Sequence, residues 1–152
     1  MTDIAAPLRA RIIAQAGNRC GYCRAHQQYV YDTLHIEHIA PRARGGSNDE
    51  VNLWLACGLC NRAKREQTHG RDPVTGRRVR LFHPRRQQWQ RHFQWSADGT
   101  EIIGRTVCGR ATVAALHVNS DLAVLVRLNW IKVGWHPPKD VEKAMMWTEG
   151  QP

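Results

Sequence analysis

Two Cys-x-x-Cys pairs constrain the fold of this chain more than any other feature. They are Cys20/Cys23 and Cys57/Cys60, and residues 24–56 separate them. Two such pairs can place four thiolates tetrahedrally around one zinc ion, at sulfur–zinc distances of about 2.3 Å. Four thiolate ligands leave no open coordination position, so we expect a structural zinc site. The alternative interpretation is that the pairs are two redox motifs or chance pairs.

The fifth cysteine, Cys108, stands apart from these pairs, and we expect it to be a small buried hydrophobic residue. No segment reaches the roughly 20 apolar residues needed to span a bilayer, so we expect no membrane partner. Charged residues near the N-terminus, Asp3, Arg9 and Arg11, interrupt any apolar region of a signal peptide. We therefore expect a cytoplasmic protein, where thiols stay reduced and cysteine clusters bind metal ions.

The segment between the cysteine pairs is rich in side chains that can perform chemistry. Residues 29–39 contain many β-formers and alternate apolar with polar side chains, which predicts a strand. Residues 51–56 are a second short apolar segment, and a helix is predicted over residues 61–67. The polar and turn-forming residues occur in the order His35, Glu37, His38, Pro41, Gly45, Gly46, Asn52 and Asn61.

This order resembles the HNH endonucleases, the ββα-metal nuclease family, in their four-cysteine form. That family has an acidic residue beside a histidine at a strand end, a glycine-rich loop, Asn-Leu, and Cys-x-x-Cys followed by Asn or His on a helix. The resemblance covers residues 17–64, about a third of the chain. Glu37 stands where many members have Asp, and Asn61 stands where the family name implies a final His. Both residues keep an oxygen donor suited to a hard cation.

The resemblance implies a metal-dependent endonuclease that hydrolyses phosphodiester bonds in DNA. His38 is the candidate general base, because histidine titrates near neutral pH. Glu37 and Asn61 are the candidate ligands of one Mg²⁺ or Mn²⁺ ion, and His35 either joins them or makes a structural hydrogen bond. Asn52, by resemblance, fixes the loop against the histidine. Adjacent strand residues point to opposite faces, so Glu37 and His38 act together only if the strand ends or bends there.

The charge of the chain favours a polyanionic partner such as nucleic acid. The sequence has 22 Lys and Arg against 13 Asp and Glu, a formal net charge of +9. A basic surface that serves solubility alone gives the same composition, so a solvated side chain is the alternative for each cation. The residues expected to hold the DNA backbone are Arg42, Arg44, Arg62, Lys64, Arg77, Arg78, Arg80, Arg85 and Arg86.

We expect an α+β fold in which a zinc-braced ββα-metal core, residues 1–70, carries a basic C-terminal extension, residues 71–152. The extension is a candidate DNA-binding element, with a β-hairpin over residues 93–105 and helices after Gly109 and Ser120. The last helix has apolar residues on more than one face, so it is either covered by the rest of the chain or forms a homodimer contact. The aromatic residues Phe82, Trp89, Phe93 and Trp95 belong either to the core or to a base-stacking surface.

A second function of a different class fits the same cysteine framework. A zinc-ribbon protein that binds nucleic acid without cleaving it needs the four cysteines and the basic residues. It does not need a general base or a second metal site. Glu37, His38 and Asn61 therefore favour the nuclease over the binding protein.

Overall fold

The computed structural model describes residues 4–139. These residues form five helices and three two-stranded antiparallel sheets, so the predicted α+β class is confirmed. Along the chain the elements are α1 (Ala6–Gln15), β1 (His35–His38), β2 (Leu53–Ala56), α2 (Gly58–Lys64), β3 (His69–Arg71), β4 (Arg78–Arg80), α3 (Trp89–His92), β5 (Phe93–Trp95), β6 (Ile102–Gly104), α4 (Val107–Leu116) and α5 (Asp121–Lys132).

The first sheet pairs β1 with β2 and carries the centre of the motif region. β1 ends at His38, directly after Glu37, as a joint role of these two residues requires. The predicted strand over residues 29–39 is too long, because Gln27–Tyr29 form a 3₁₀ turn. The turn side chains hydrogen-bond within the loop, so the chain becomes extended only at the start of β1.

Helix α2 begins at the second cysteine pair rather than after it. Cys57 is the N-cap, and its Sγ accepts a hydrogen bond from Cys60 N at 3.4 Å. The helix predicted over residues 61–67 therefore starts earlier, at Gly58. Sequence analysis missed this start because Ser, Thr, Asp and Asn are the preferred caps. The helix is thereby held at the cysteine cluster from its first turn.

Two hairpins contribute the other sheets. The β3–β4 hairpin turns around Asp72, whose carboxylate accepts hydrogen bonds from Thr75 Oγ1 at 2.6 Å and from two Arg110 nitrogens at 2.9 Å. These three-residue strands show too little alternation to be recognised in the sequence. The β5–β6 hairpin confirms the one predicted over residues 93–105.

Within the described chain, one apolar cluster joins side chains from both sides of residue 70. Trp89 Nε1 donates a hydrogen bond to the backbone oxygen of Tyr22 at 2.8 Å. Phe82, Trp89 and Phe93 are at most 6% exposed, so they are core residues and not base-stacking platforms. Residues of the extension therefore pack directly on the motif region, while the division of the chain at residue 70 stays a prediction.

Helix α5 begins where the sequence predicts, because Ser120 Oγ accepts a hydrogen bond from Ala123 N at 3.3 Å. Leu122, Leu125 and Leu128 on this helix are exposed. The rest of residues 4–139 thus leaves part of the helix uncovered. A homodimer contact through α5 stays a prediction.

The helices of the described residues were also compared with the length and composition of membrane spans. No single helix between residues 4 and 139 is long and apolar enough to cross a membrane. Helices α4 and α5 meet that requirement only when taken together, and a bend of 103° separates them.

Cys108, on α4, is only partly buried where it packs against the core, less than the sequence predicts.

Candidate functional site

The four cysteines of the two pairs converge at the start of α2. Their sulfur atoms all lie within 4.8 Å of one another, and Cys23 Sγ is 3.6 Å from Cys57 Sγ. Thiolates bound to a tetrahedral zinc ion at about 2.3 Å lie about 3.8 Å apart, so the arrangement fits this ion. Two independent redox pairs would not have to converge. The four predicted cysteines therefore form one cluster that could hold a metal ion, and four thiolate ligands would leave no position for another ligand.

The close approach of the sulfur atoms changes their proton affinities. Hydrogen bonds from Cys20 and the other thiols lower the pKa of Cys57. Hydrogen bonding with Cys20 raises the pKa of Cys23 and of Cys60 well above the ordinary thiol value. Because zinc binds thiolates, metal binding at this cluster releases protons and becomes tighter as the pH rises.

Glu37 lies inside the protein, in a network that the sequence did not reveal. Its side chain is 3% exposed, and Lys64 Nζ lies 2.7 Å from its Oε1. Tyr22 donates its hydroxyl proton to Glu37 Oε2 at 2.7 Å. Burial raises the pKa of Glu37, while Lys64 and Tyr22 act in the opposite direction. Burial and the Glu37 charge raise the pKa of Tyr22, so its hydroxyl remains protonated and donates.

His38 follows Glu37 and is the last residue of β1. It is half-buried, and its Nε2 lies 2.7 Å from Asn48 Oδ1. The amide oxygen can only accept, so this contact suits the neutral tautomer with the proton on Nε2, in which Nδ1 carries a lone pair. The sequence predicted His38 but not Asn48. The only local signal for Asn48 is that it is a polar residue close to Gly45-Gly46.

Asn52 connects the two ends of the loop that carries Asn48. Its Oδ1 accepts a hydrogen bond from Ala40 N at 2.8 Å, and its Nδ2 donates to Ser47 O at 2.8 Å. The loop approaches itself so closely at Gly46 that a Cβ there would lie 1.7 Å from the Ala40 oxygen. These contacts fix the position of the residue that orients His38.

The two remaining candidate ligands occupy different surroundings. Asn61 is half-buried on α2, one turn before Lys64. His35 is on β1, and its Nε2 lies 3.6 Å from a carboxylate oxygen of Asp32. Glu37 and His38 are consecutive in the chain. The structure places His35 next to Asp32, an acidic residue that was not predicted from the sequence.

Comparison with protein-family models matches residues 20–67 to the HNH endonuclease family. The matched segment, about a third of the chain, is thus similar to an HNH domain. The matched residues include the four cysteines, the Glu37 network, His38 and the loop held by Asn52. A search of curated proteins gives no match to the chain. The resemblance found in the sequence is confirmed over residues 20–67.

The nine basic residues predicted to contact DNA fall into two groups, those whose side chains are bound within the protein and those whose side chains are exposed. Lys64 is 3% exposed and bound inside, where its Nζ also donates to the backbone oxygens of His38 and Ile39. Arg85 donates to the backbone oxygen of Leu53 at 3.0 Å, and its guanidinium lies over the Trp54 ring. The exposed members are Arg42, Arg44, Arg62, Arg77, Arg78, Arg80 and Arg86.

A cleft of about 660 Å³ lies between the HNH domain and the segment that follows β4. Asn52 and Lys64 line it on the side of the domain, and Arg80, His83 and Arg86 line it on the other. Burial and the neighbouring Arg86 lower the pKa of His83, so this histidine is neutral at pH 7. The exposed positive charge in the cleft therefore comes from Arg80 and Arg86, since Lys64 is buried and paired with Glu37.

Proposed function

We propose that this protein is a metal-dependent endonuclease that hydrolyses phosphodiester bonds in DNA, with His38 as the general base. The observation that carries the proposal is the hydrogen bond between His38 Nε2 and Asn48 Oδ1 within an HNH domain. In the tautomer that donates from Nε2, Nδ1 is the acceptor for the proton of an attacking water molecule. Imidazole exchanges this proton near neutral pH, which suits repeated turnover.

The loop around His38 supports this role because it restricts the orientation of the imidazole. A general base has to lie within hydrogen-bond reach of the proton that it removes. Asn48 fixes the ring from the Nε2 side, and Asn52 fixes the loop that carries Asn48. We assign Asn48 and Asn52 as positioning residues, since both act through His38.

The proposal assigns one Mg²⁺ or Mn²⁺ ion to Glu37 and Asn61. Glu37 Oε1 already pairs with a cation of the protein itself, the Lys64 ammonium group at 2.7 Å. A carboxylate and an amide oxygen are the donors that hard cations prefer. A bound ion would stabilise negative charge on the phosphate and on the leaving oxygen. Glu37 must release Lys64 Nζ to bind it, and Lys64 can retain its backbone partners.

We assign DNA as the substrate because exposed arginines adjoin the site. Arg80 and Arg86 line the cleft next to Asn52, and Arg42 and Arg44 lie exposed on the loop after β1. Arginine grips phosphate with two parallel hydrogen bonds, which positions a backbone without reading its sequence. These residues support phosphate binding beside Asn52 and on the loop after β1.

Nicking of supercoiled plasmid tests the proposal. The zinc-loaded protein should nick in the presence of Mg²⁺ or Mn²⁺ and stop when EDTA is added. His38→Ala should lower the rate at least ~10²-fold, because general base catalysis contributes that much. The matched control is His117→Asn, which changes an exposed histidine after α4 and keeps a residue that tolerates positive φ.

The outcomes of this assay separate the nuclease from the zinc-ribbon binding protein. A protein that retards DNA in gels but nicks none of it with either metal supports the binding protein. A His38→Ala variant that nicks at the unmodified rate contradicts the assignment of the base. Loss of cleavage in both variants would show that histidine replacement disturbs the fold in general.

A further inference from the structure

Arg127, on α5, is a buried cation whose partners are all neutral. Its side chain is 3% exposed. Its Nη1 donates to Thr100 O at 2.9 Å and to Asn119 Oδ1 at 3.3 Å, and its Nη2 donates to Val118 O at 2.5 Å. Within the described part of the chain no carboxylate forms an ion pair with Arg127. A buried charge without a counter-charge is strongly unfavourable, so this guanidinium needs an anion nearby.

The anion that the structure offers is the cysteine cluster. Arg127 lines a cavity of about 180 Å³ together with Cys23, Cys57 and Cys60. Burial lowers the pKa of Arg127, and the negative charge of the four cysteines acts in the opposite direction. A zinc ion bound by four thiolates carries a net double negative charge, which the protein must stabilise where the site is buried.

We propose that Arg127 is the positive counter-charge of the four-cysteine zinc site. Its guanidinium offsets part of the charge of the zinc–thiolate cluster, while its hydrogen bonds hold the backbone at Thr100 and Val118. The same side chain therefore fastens α5 and the β5–β6 hairpin to a metal site that lies in the HNH domain. Groups around a metal site that do not touch the ion can change its affinity 10–100-fold.

The experiment measures zinc affinity by competition with a chromophoric chelator at pH 7. Arg127→Gln keeps hydrogen-bond donors but removes the charge, and it should raise the zinc dissociation constant 10–100-fold. Arg127→Lys keeps the charge and should recover part of this loss. The result does not depend on DNA cleavage, so it stays separate from the proposed nuclease activity.

The matched control is Asn119→Ala. Asn119 lies next to Val118, and its side chain forms two hydrogen bonds with the backbone of Ile102. It also accepts a hydrogen bond from Arg127, but it carries no charge. It should change zinc affinity less than threefold. An Arg127→Gln variant within threefold of the unmodified protein would overturn the proposal. An equal loss in Asn119→Ala would also overturn it, because packing of the turn would then explain the effect.

A second variant keeps the proposal testable if Arg127→Gln does not fold. Replacing Cys23 by histidine in the same chain removes one negative charge from the cluster while preserving four ligands. The double variant Arg127→Gln/Cys23→His should then fold and bind zinc where the single variant fails. A double variant that folds no better than Arg127→Gln would contradict a role based on charge.

Discussion

Lys64 Nζ lies 2.7 Å from Glu37 Oε1, and both side chains are 3% exposed. This ion pair connects the last turn of α2 to β1, next to the histidine assigned as the base. Lys64 also donates to the backbone oxygens of His38 and Ile39. The pair therefore fixes the end of β1, and it occupies the carboxylate that the proposed divalent ion requires.

Lys64→Met should destabilise the protein while increasing its dependence on divalent cations. Removing one partner of a buried ion pair costs about 3–5 kcal/mol, because the other charge is left unpaired. Mn²⁺ should restore part of this loss by binding the vacated carboxylate. Thermal unfolding with and without Mn²⁺ measures both effects.

The control for this experiment is Lys132→Met, which changes an exposed lysine at the end of α5. It should leave the unfolding free energy nearly unchanged and give no response to Mn²⁺ beyond that of the unmodified protein. If Lys64→Met is destabilised but Mn²⁺ restores nothing, Glu37 has a structural role only and the proposed ion must bind elsewhere.

Local sequence patterns were sufficient to predict the cysteine site and the HNH region. Cys20, Cys23, Cys57 and Cys60 sit at spacings that metal geometry imposes, and those spacings are visible in the sequence. The strand–loop–strand–helix order between them followed from apolar runs and glycines. The α+β class then followed from these elements together with the resemblance to the HNH endonucleases.

Contacts between distant residues were not visible in the sequence. A lysine near the end of a helix is exposed by default, and the burial of Lys64 depends on Glu37 and Tyr22, which come much earlier in the chain. Arg85 looks like its neighbour Arg86 in sequence, yet only Arg85 lies over Trp54. Lys64 and Arg85 were assigned to DNA from the local pattern of basic residues, whereas tertiary packing decides the roles of these two side chains.

Cys57→Ser should unfold both the HNH domain and the extension. Three thiolates hold zinc poorly, and metal binding supplies much of the folding free energy of such sites. Tyr22 lies between Cys20 and Cys23 in the chain, and its backbone oxygen accepts a hydrogen bond from Trp89 Nε1. Loss of the site should therefore also expose Trp89. Native mass spectrometry should give about one zinc per chain for the unmodified protein and none for the variant.

Cys108→Ser provides the control for the zinc experiment, since Cys108 is outside the cluster. This variant should keep both its zinc and the tryptophan emission spectrum of the unmodified protein. Recovery of a folded Cys57→Ser protein that contains no zinc would show that the cysteine site does not hold the fold together.

Arg86→Gln should weaken DNA binding, whereas Arg85→Gln should lower the stability of the protein. Arg86 is exposed at the cleft, so its replacement should weaken DNA binding and reduce the slope of log affinity against log salt by nearly one. Arg85 bonds to Leu53 O inside the protein, so its replacement should cost about 1 kcal/mol of unfolding free energy. Filter binding at several salt concentrations and urea unfolding measure the two effects. Equal salt slopes in both variants would contradict this division.

His136 should make the protein less stable at acidic pH. Burial lowers its pKa to about 4, against 6.5 for an ordinary histidine, and its Nε2 donates to Gly99 O at 2.9 Å. Between these two pKa values the unfolded chain binds a proton that the folded protein does not, so unfolding becomes easier as the pH falls. The loss attributable to His136 between pH 7 and pH 5 should be about 2 kcal/mol.

His136→Gln tests this pH dependence, because glutamine keeps an amide donor and does not titrate. Urea unfolding at pH 7 and at pH 5 should show a smaller loss of stability on acidification in the variant than in the unmodified protein. The other titrating groups are common to both proteins and cancel in the comparison. An identical loss in both would mean that His136 is protonated equally in the folded and unfolded states.

Asn48 offers the sharpest test of the proposed mechanism, because its role can be altered in two directions. Asn48→Ala frees the His38 ring to rotate and should lower the nicking rate ~10-fold or more, with zinc content and DNA affinity unchanged, because the base is then less often in position. Asn48→Asp keeps an acceptor for Nε2 but adds a negative charge 2.7 Å away. That charge favours the protonated imidazole, which cannot act as a base. The acidic limb of the pH–rate profile should therefore move to higher pH in Asn48→Asp and stay in place in Asn48→Ala. A profile that does not move in Asn48→Asp would show that His38 does not supply the titrating group, even if both variants cleave slowly.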